Sequence, residues 1–159
     1  MQVAKPRFLA IASMALTTLL VLVPLAESTP YFFTPNSPEH IKPVLAYLQQ
    51  HRQPGDVTYV FQKGQYPFLY YADRYGYKPE EYILGINDVH EMDKEQELQM
   101  YREDVDRLKG NPRVWILVSD TRIRDRTKFV LAHLQTIGKR LEVYKSSVPS
   151  SFVELYNLR

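Results

Sequence analysis

The chain has 159 residues with 20 Lys and Arg against 18 Asp and Glu, and no cysteine. The missing cysteines exclude disulfides, thiolate nucleophiles and thiolate metal sites. With Lys5 and Arg7 set aside, the remainder balances at 18 against 18, so it lacks the basic face a nucleic-acid binder needs.

Lys5 and Arg7 lead an uncharged apolar run from Phe8 to Ala26. As a helix rising about 1.5 Å per residue, the run reaches close to the ~30 Å hydrocarbon thickness of a bilayer. The basic residues ahead of it place the amino terminus in the cytoplasm by the positive-inside rule, which sends the rest of the chain outside. A cleaved signal peptide is the competing reading, with cleavage after Ser28 and Ala26 at minus three. The run is longer than a usual signal core, and this favours a retained span. From Glu27 to Asn36, prolines around Tyr31, Phe32 and Phe33 suggest an extended exit segment with an aromatic belt at the outer leaflet.

Ser37 and Pro38 resemble a helix cap and first-turn proline. Ile41, Val44, Leu45 and Leu48 then recur at helical spacing to about Arg52, and Pro43 moves the expected start to Glu39 or His40. Pro54, Gly55 and Asp56 make a turn into a strand, Val57 to Phe61. Gly64 and Pro67 bracket a loop before a helix from Phe68 to Arg74, which Gly76 stops. Tyr82 to Leu84 is a short strand. A polar stretch, Asp88 to Asp93, precedes a helix from Lys94 to Lys109 with Leu98, Tyr101, Val105 and Leu108 on one face. Val114 to Val118 is the most continuous apolar run of the domain, as expected of a strand buried on both faces. Ile123 to Ile137 is the next helix. Strands at Arg140 to Lys145 and Ser151 to Tyr156 end the chain, joined by a turn.

This order predicts an α/β fold: an N-terminal transmembrane helix followed by a layered α/β domain with a mostly parallel sheet and a C-terminal β-hairpin. The expected division is a cytoplasmic stub and transmembrane helix at 1–29, an exit linker at 30–37, and an extracytoplasmic domain at 38–159.

Ligands of open parallel sheets collect beyond the carboxyl ends of the strands. The first such place holds Gln62, Lys63, Gly64, Gln65 and Tyr66, where a glycine admits backbone amides toward an anion; a glycine-bearing turn is the plainer reading. The second is Ser119, Asp120 and Thr121, with Arg122 following. Asp120 could serve as a general base, and equally a Ser/Asp/Thr cluster caps a helix. The third is a tyrosine group including Tyr66, Tyr70 and Tyr71, suited to sugar or lipid contact and equally to half-buried packing. Lys63, Gly64, Gln65, Tyr66, Tyr70, Tyr71, Asp120 and Arg122 are therefore the candidate ligand or partner surface. His40, His51, His90 and His133 are scattered, with no HExxH, and no phosphate-binding glycine motif occurs, so neither a metal nor another cofactor is expected. No catalytic triad or nucleophile elbow can be assembled, and a small hydrolase would rest on Asp120 alone.

Certain segments resemble a known family. They are the block Glu39 to Asp56 (EHIKPVLAYLQQHRQPGD), Val57 to Phe61, Tyr70 to Ala72 and Arg74 to Gly76, then Arg113 to Ser119 (RVWILVS) and Ile137 to Leu141. Together they are similar to the carboxy-terminal extracytoplasmic region of bacterial polytopic glycosyltransferases of the dolichyl-phosphate-mannose protein mannosyltransferase superfamily. The resemblance implies that Phe8 to Ala26 corresponds to the last membrane helix of such an enzyme. It also implies a polyprenyl-phosphate sugar or a polytopic glycosyltransferase subunit as partner, beside the bilayer itself. Family members use an acidic residue in their first extracytoplasmic loop. The match here begins at Glu39, so no catalytic residue is carried over. The expectation is an accessory domain inactive alone, as a split subunit, a truncation or a stand-alone relative. The alternative is a non-enzymatic interaction module, membrane-tethered or secreted.

Overall fold

The computed structural model describes residues 6–33, 40–87, 93–119, 124–146 and 151–159. They divide into two compact units, Met1–Asn36 and Ser37–Arg159.

The first unit is one helix, α1, Pro6–Phe33. Within it Ala10–Thr29 is long and apolar enough to cross a membrane, at mean hydropathy 1.9 with none of it buried. The extended exit segment expected from Glu27 is corrected here, because the helix runs on through Phe33. Hydroxyl side chains accompany the helix: Ser28 Oγ donates to the Pro24 carbonyl at 2.7 Å and Thr29 Oγ1 to the Leu25 carbonyl at 2.9 Å. Such bonds let short polar residues stay helical where they would otherwise compete with the backbone. Prolines are likewise tolerated in helices of this type.

The second unit begins with α2 (Lys42–His51), later than expected. Pro43 thereby falls in the first turn, where its missing N–H is one of the unpaired amides anyway. The strand β1 (Val57–Phe61) follows, then a 3-10 turn at Gln62–Gly64 and α3 (Gln65–Tyr71). The helix α3 starts three residues before the predicted Phe68 for the same reason, since Pro67 sits in its first turn. Gly76 ends the next 3-10 turn at φ 69°, the left-handed conformation glycine adopts at no steric cost. The remaining elements are β2 (Tyr82–Leu84), α4 (Lys94–Asp106), β3 (Val114–Ser119), α5 (Arg124–Ile137), β4 (Lys139–Lys145) and β5 (Ser151–Asn157).

The five strands form one mixed sheet in the order β2-β1-β3-β5-β4. The first three strands are parallel as expected, β1 pairing with both β2 and β3. The expectation of a mostly parallel sheet is corrected by β5, which lies between β3 and β4 and runs antiparallel to both over longer registers. The short link from β4 imposes the antiparallel turn, and the inner position goes to the strand with more apolar surface. β5 buries Val153, Leu155 and Tyr156, whereas Lys139, Arg140, Glu142 and Lys145 suit β4 to the edge. A register shift between Arg140 and Glu142 further blunts that edge.

Alternate residues of β3 serve different apolar clusters. Val114, Ile116 and Val118 join Tyr59, Phe61, Tyr101 and Val105 with Val130 and Leu134 of α5. Trp115 and Leu117 join Val60, Phe68, Ile41 and the α2 residues Val44, Leu45 and Leu48. Because successive strand side chains point to opposite faces, α2 and α3 cover one face of the sheet and α4 and α5 the other.

Candidate functional site

The parallel strands β1 and β3 are neighbours, but their continuations diverge. The chain leaves β1 for α3 on one face and reaches β2 beyond it; it leaves β3 for α5 on the other face and reaches β4 at the far edge. The direction of winding therefore reverses between β1 and β3, and this is where the ends of open sheets leave a crevice.

Gln62 begins the β1 side of this place with φ 41°, the only described non-glycine residue with positive φ. Such a conformation costs of order 1 kcal/mol or more and persists only where surrounding contacts hold it. Gln62 is buried; its Nε2 donates to the Tyr101 hydroxyl from α4, while its Oε1 has no hydrogen-bond partner. Gly64 lies against the β3 end, where a Cβ would stand 3.4 Å from both the Cβ and the backbone nitrogen of Ser119. A side chain there would press on the strand end, so glycine allows the close approach. Ser119 is buried with an unpartnered hydroxyl, and so is Thr127 in the first turn of α5.

Tyr101 is the floor of the arrangement. Burial pushes its hydroxyl up to about 12; the Arg126 guanidinium opposes this and the Glu97 carboxylate adds to it. Arg126 and Glu97 form an ion pair between α5 and α4. Tyr59 extends the polar set beneath β2: its hydroxyl donates to Asp104, which also accepts from the Ile86 amide at 2.8 Å and pairs with Arg107 at 2.6 Å. Burial, then the Asp104 carboxylate, raises the Tyr59 hydroxyl far above the ordinary tyrosine value. This second group is closed, every oxygen of Asp104 being engaged. Gln62 Oε1 and the Ser119 hydroxyl have no hydrogen-bond partner among the described residues.

The eight candidate residues separate into two groups and a remainder. Gly64 and Gln65 belong to the crevice, where Gln65 Nε2 donates to the carbonyls of Gly85 at 2.5 Å and Val60 at 3.3 Å, clamping α3 onto the ends of β1 and β2. Lys63 is exposed on the turn between them. Tyr66 and Tyr70 lie on the outer face of α3, and Tyr71 is half-buried beside them. Asp120 and Arg122 lie outside the described residues. Tyr101 carries no sequence signal of a site, since it reads as an inward position of an amphipathic helix; only the packing of α4 brings its hydroxyl to Gln62. Elsewhere, a cavity of about 260 Å³ between α2 and the β2 approach is lined by Arg52, Asp56 and Glu81, whose charges are mutually paired or paired with Arg113. Among the described residues no group of three or more His, Asp or Glu is placed to hold a metal ion.

An unpartnered buried hydroxyl costs about 1–3 kcal/mol, so replacing Thr127 with the nearly isosteric valine is expected to stabilise the chain by about 1 kcal/mol. The urea midpoint of the full chain in detergent micelles measures this, and a clear destabilisation would show that an ordered water completes the hydroxyl.

The comparisons with known proteins place no neighbour beside this fold: no protein family matches the chain, and no curated protein or solved structure does. What the chain itself defines is an α/β domain on a mixed five-stranded sheet, preceded by one helix able to cross a membrane.

Proposed function

We propose that this chain is the membrane-anchored, extracytoplasmic accessory domain of a polyprenyl-phosphate-sugar-dependent glycosyltransferase, binding rather than transferring. The observation that carries the reading is the pair of neighbouring strand ends at β1 and β3, where the winding reverses. There Gln62 Oε1 and the Ser119 hydroxyl are buried with no hydrogen-bond partner among the described residues. Neutral acceptors and donors of this kind suit the hydroxyl groups of a sugar, which replace water one hydrogen bond at a time. The apolar helix supports a membrane setting, and Lys5 and Arg7 ahead of it support an amino terminus in the cytoplasm. The sequence resemblance to the carboxy-terminal region of polytopic glycosyltransferases supplies the substrate class.

The test uses the purified full chain in micelles. A polyprenyl-phosphate sugar is expected to raise its unfolding midpoint, and the same polyprenyl phosphate without sugar is expected to leave it unchanged. Equal response to both would remove the sugar from the proposal. Robust transfer to an acceptor by this chain alone would overturn the accessory role. A non-enzymatic interaction module is the second reading, favoured by the exposed tyrosines of α3. Crosslinking in native membranes separates the two, a polytopic glycosyltransferase being the expected capture under the first.

A further inference from the structure

The helix α3 has two unlike faces. Phe68 points inward and is fully buried, in edge contact with Tyr77 and Tyr82 at centroid distances of 5.0 Å each. Tyr66, Leu69 and Tyr70, at i, i+3 and i+4, share the outer face and are 69%, 47% and 79% exposed. Only Leu141 and Val143 of β4 are comparable among the described large apolar residues outside α1. Beside the patch, Tyr71 stacks edge-on against Tyr70 at 4.8 Å, and two cations lie over its ring: Lys42 Nζ at 5.2 Å and the Arg74 guanidinium at 6.0 Å.

We infer that the outer face of α3 docks on the headgroup region of the bilayer that α1 spans. Tyrosine is the residue type for such a surface, because its ring enters the apolar boundary while its hydroxyl stays hydrated. The two cations complement anionic headgroups at the rim of the patch. Lys42 is the first residue of α2, so the patch lies beside the start of that helix. The inference rests on α1 being a retained span, and not on the sugar-binding reading of the crevice.

Trp115 is the only tryptophan and is fully buried, so an added tryptophan reports its own surroundings. The full chain carrying Tyr70→Trp is reconstituted in vesicles of brominated phosphatidylcholine and phosphatidylglycerol, beside a chain carrying Lys128→Trp on the exposed side of α5. Bromine is expected to quench the Tyr70→Trp chain about twofold or more over the Lys128→Trp chain, as for aromatic residues at the membrane interface. Equal quenching of the two chains overturns the docking surface, as does capture of a protein instead of lipid by a photocrosslinker at position 70 in native membranes. Carbonate extraction of the same vesicles, performed first, isolates the underlying premise: release of the chain means that α1 is not a span, whereas retention with equal quenching means that the span is real and the patch does not dock.

Discussion

Replacing Asp56 with alanine is expected to cost about 3–5 kcal/mol of stability, the cost of leaving buried donors facing a missing acceptor. Four hydrogen bonds converge on this one carboxylate. Arg113 donates to both oxygens, at 2.7 and 3.2 Å, the Trp115 indole N–H donates at 2.7 Å, and the Gln53 amide closes the turn at 3.0 Å. Asp56 precedes β1, and Arg113 and Trp115 open β3, so the carboxylate joins the starts of two parallel strands and the turn that enters the first. Trp115 is fully buried, and without Asp56 its N–H has no route to water. Against a total of about 5–15 kcal/mol for a domain of this size, such a loss leaves little margin. Asp56→Asn keeps one acceptor oxygen and is expected to lose less. Urea unfolding of the full chain in micelles measures both. An Asp56→Ala midpoint within error of the wild type would mean that the network is redistributed at no cost.

The same residue shows what the sequence made legible. Asp56 reads correctly as a turn former after Pro54 and Gly55, because turn chemistry is local. Its structural partners lie on β3, more than fifty positions away, and nothing in the turn motif announces them. The strands β1 and β2 carry local signals strong enough to appear with the boundaries read from the residues, and Val114 to Val118 is buried on both faces as its apolar continuity implies. Helix starts moved where proline was taken for punctuation: Pro43 and Pro67 both occupy first turns, where proline costs the least. The place of β5 was the non-local choice. A hairpin is visible from the short link, but which of its strands docks on β3 depends on comparing β4, charged at four of seven positions, with β5. The ends of β1 and β3, at Gln62 and Ser119, were legible from the residues. The polar contact there was not, because Tyr101 reaches Gln62 from a helix whose packing no spacing rule specifies.

The largest environmental effect is expected in alkali. Tyr59, Tyr101 and Tyr156 are fully buried, and burial is the leading cause that raises each hydroxyl above its ordinary value. Neighbouring carboxylates add to it, Asp104 for Tyr59 and Glu154 for Tyr156. In the unfolded chain these hydroxyls ionise near pH 10, while the folded state keeps them protonated, Tyr101 up to about 12 and the other two further. Above pH 10 the folded chain therefore binds more protons than the unfolded one, and stability falls as pH rises; below pH 10 all three are neutral in both states and contribute no pH dependence. Each tyrosine removes about 1.4 kcal/mol per pH unit once its unfolded form is ionised, so the three together remove about 4 kcal/mol per unit between roughly pH 11 and 12. Unfolding of the full chain in that window is the expected result, with tyrosinate absorbance appearing together with the loss of tertiary structure. Tyr156→Phe is the decisive variant. Phenylalanine fills the same space beside Val114 and leaves Glu154 its Arg140 partner at 3.3 Å, so the alkaline slope is expected to fall by about 1.4 kcal/mol per pH unit. Tyrosinate formation well before unfolding, or an unchanged slope in that variant, would mean that these hydroxyls reach solvent in the folded chain.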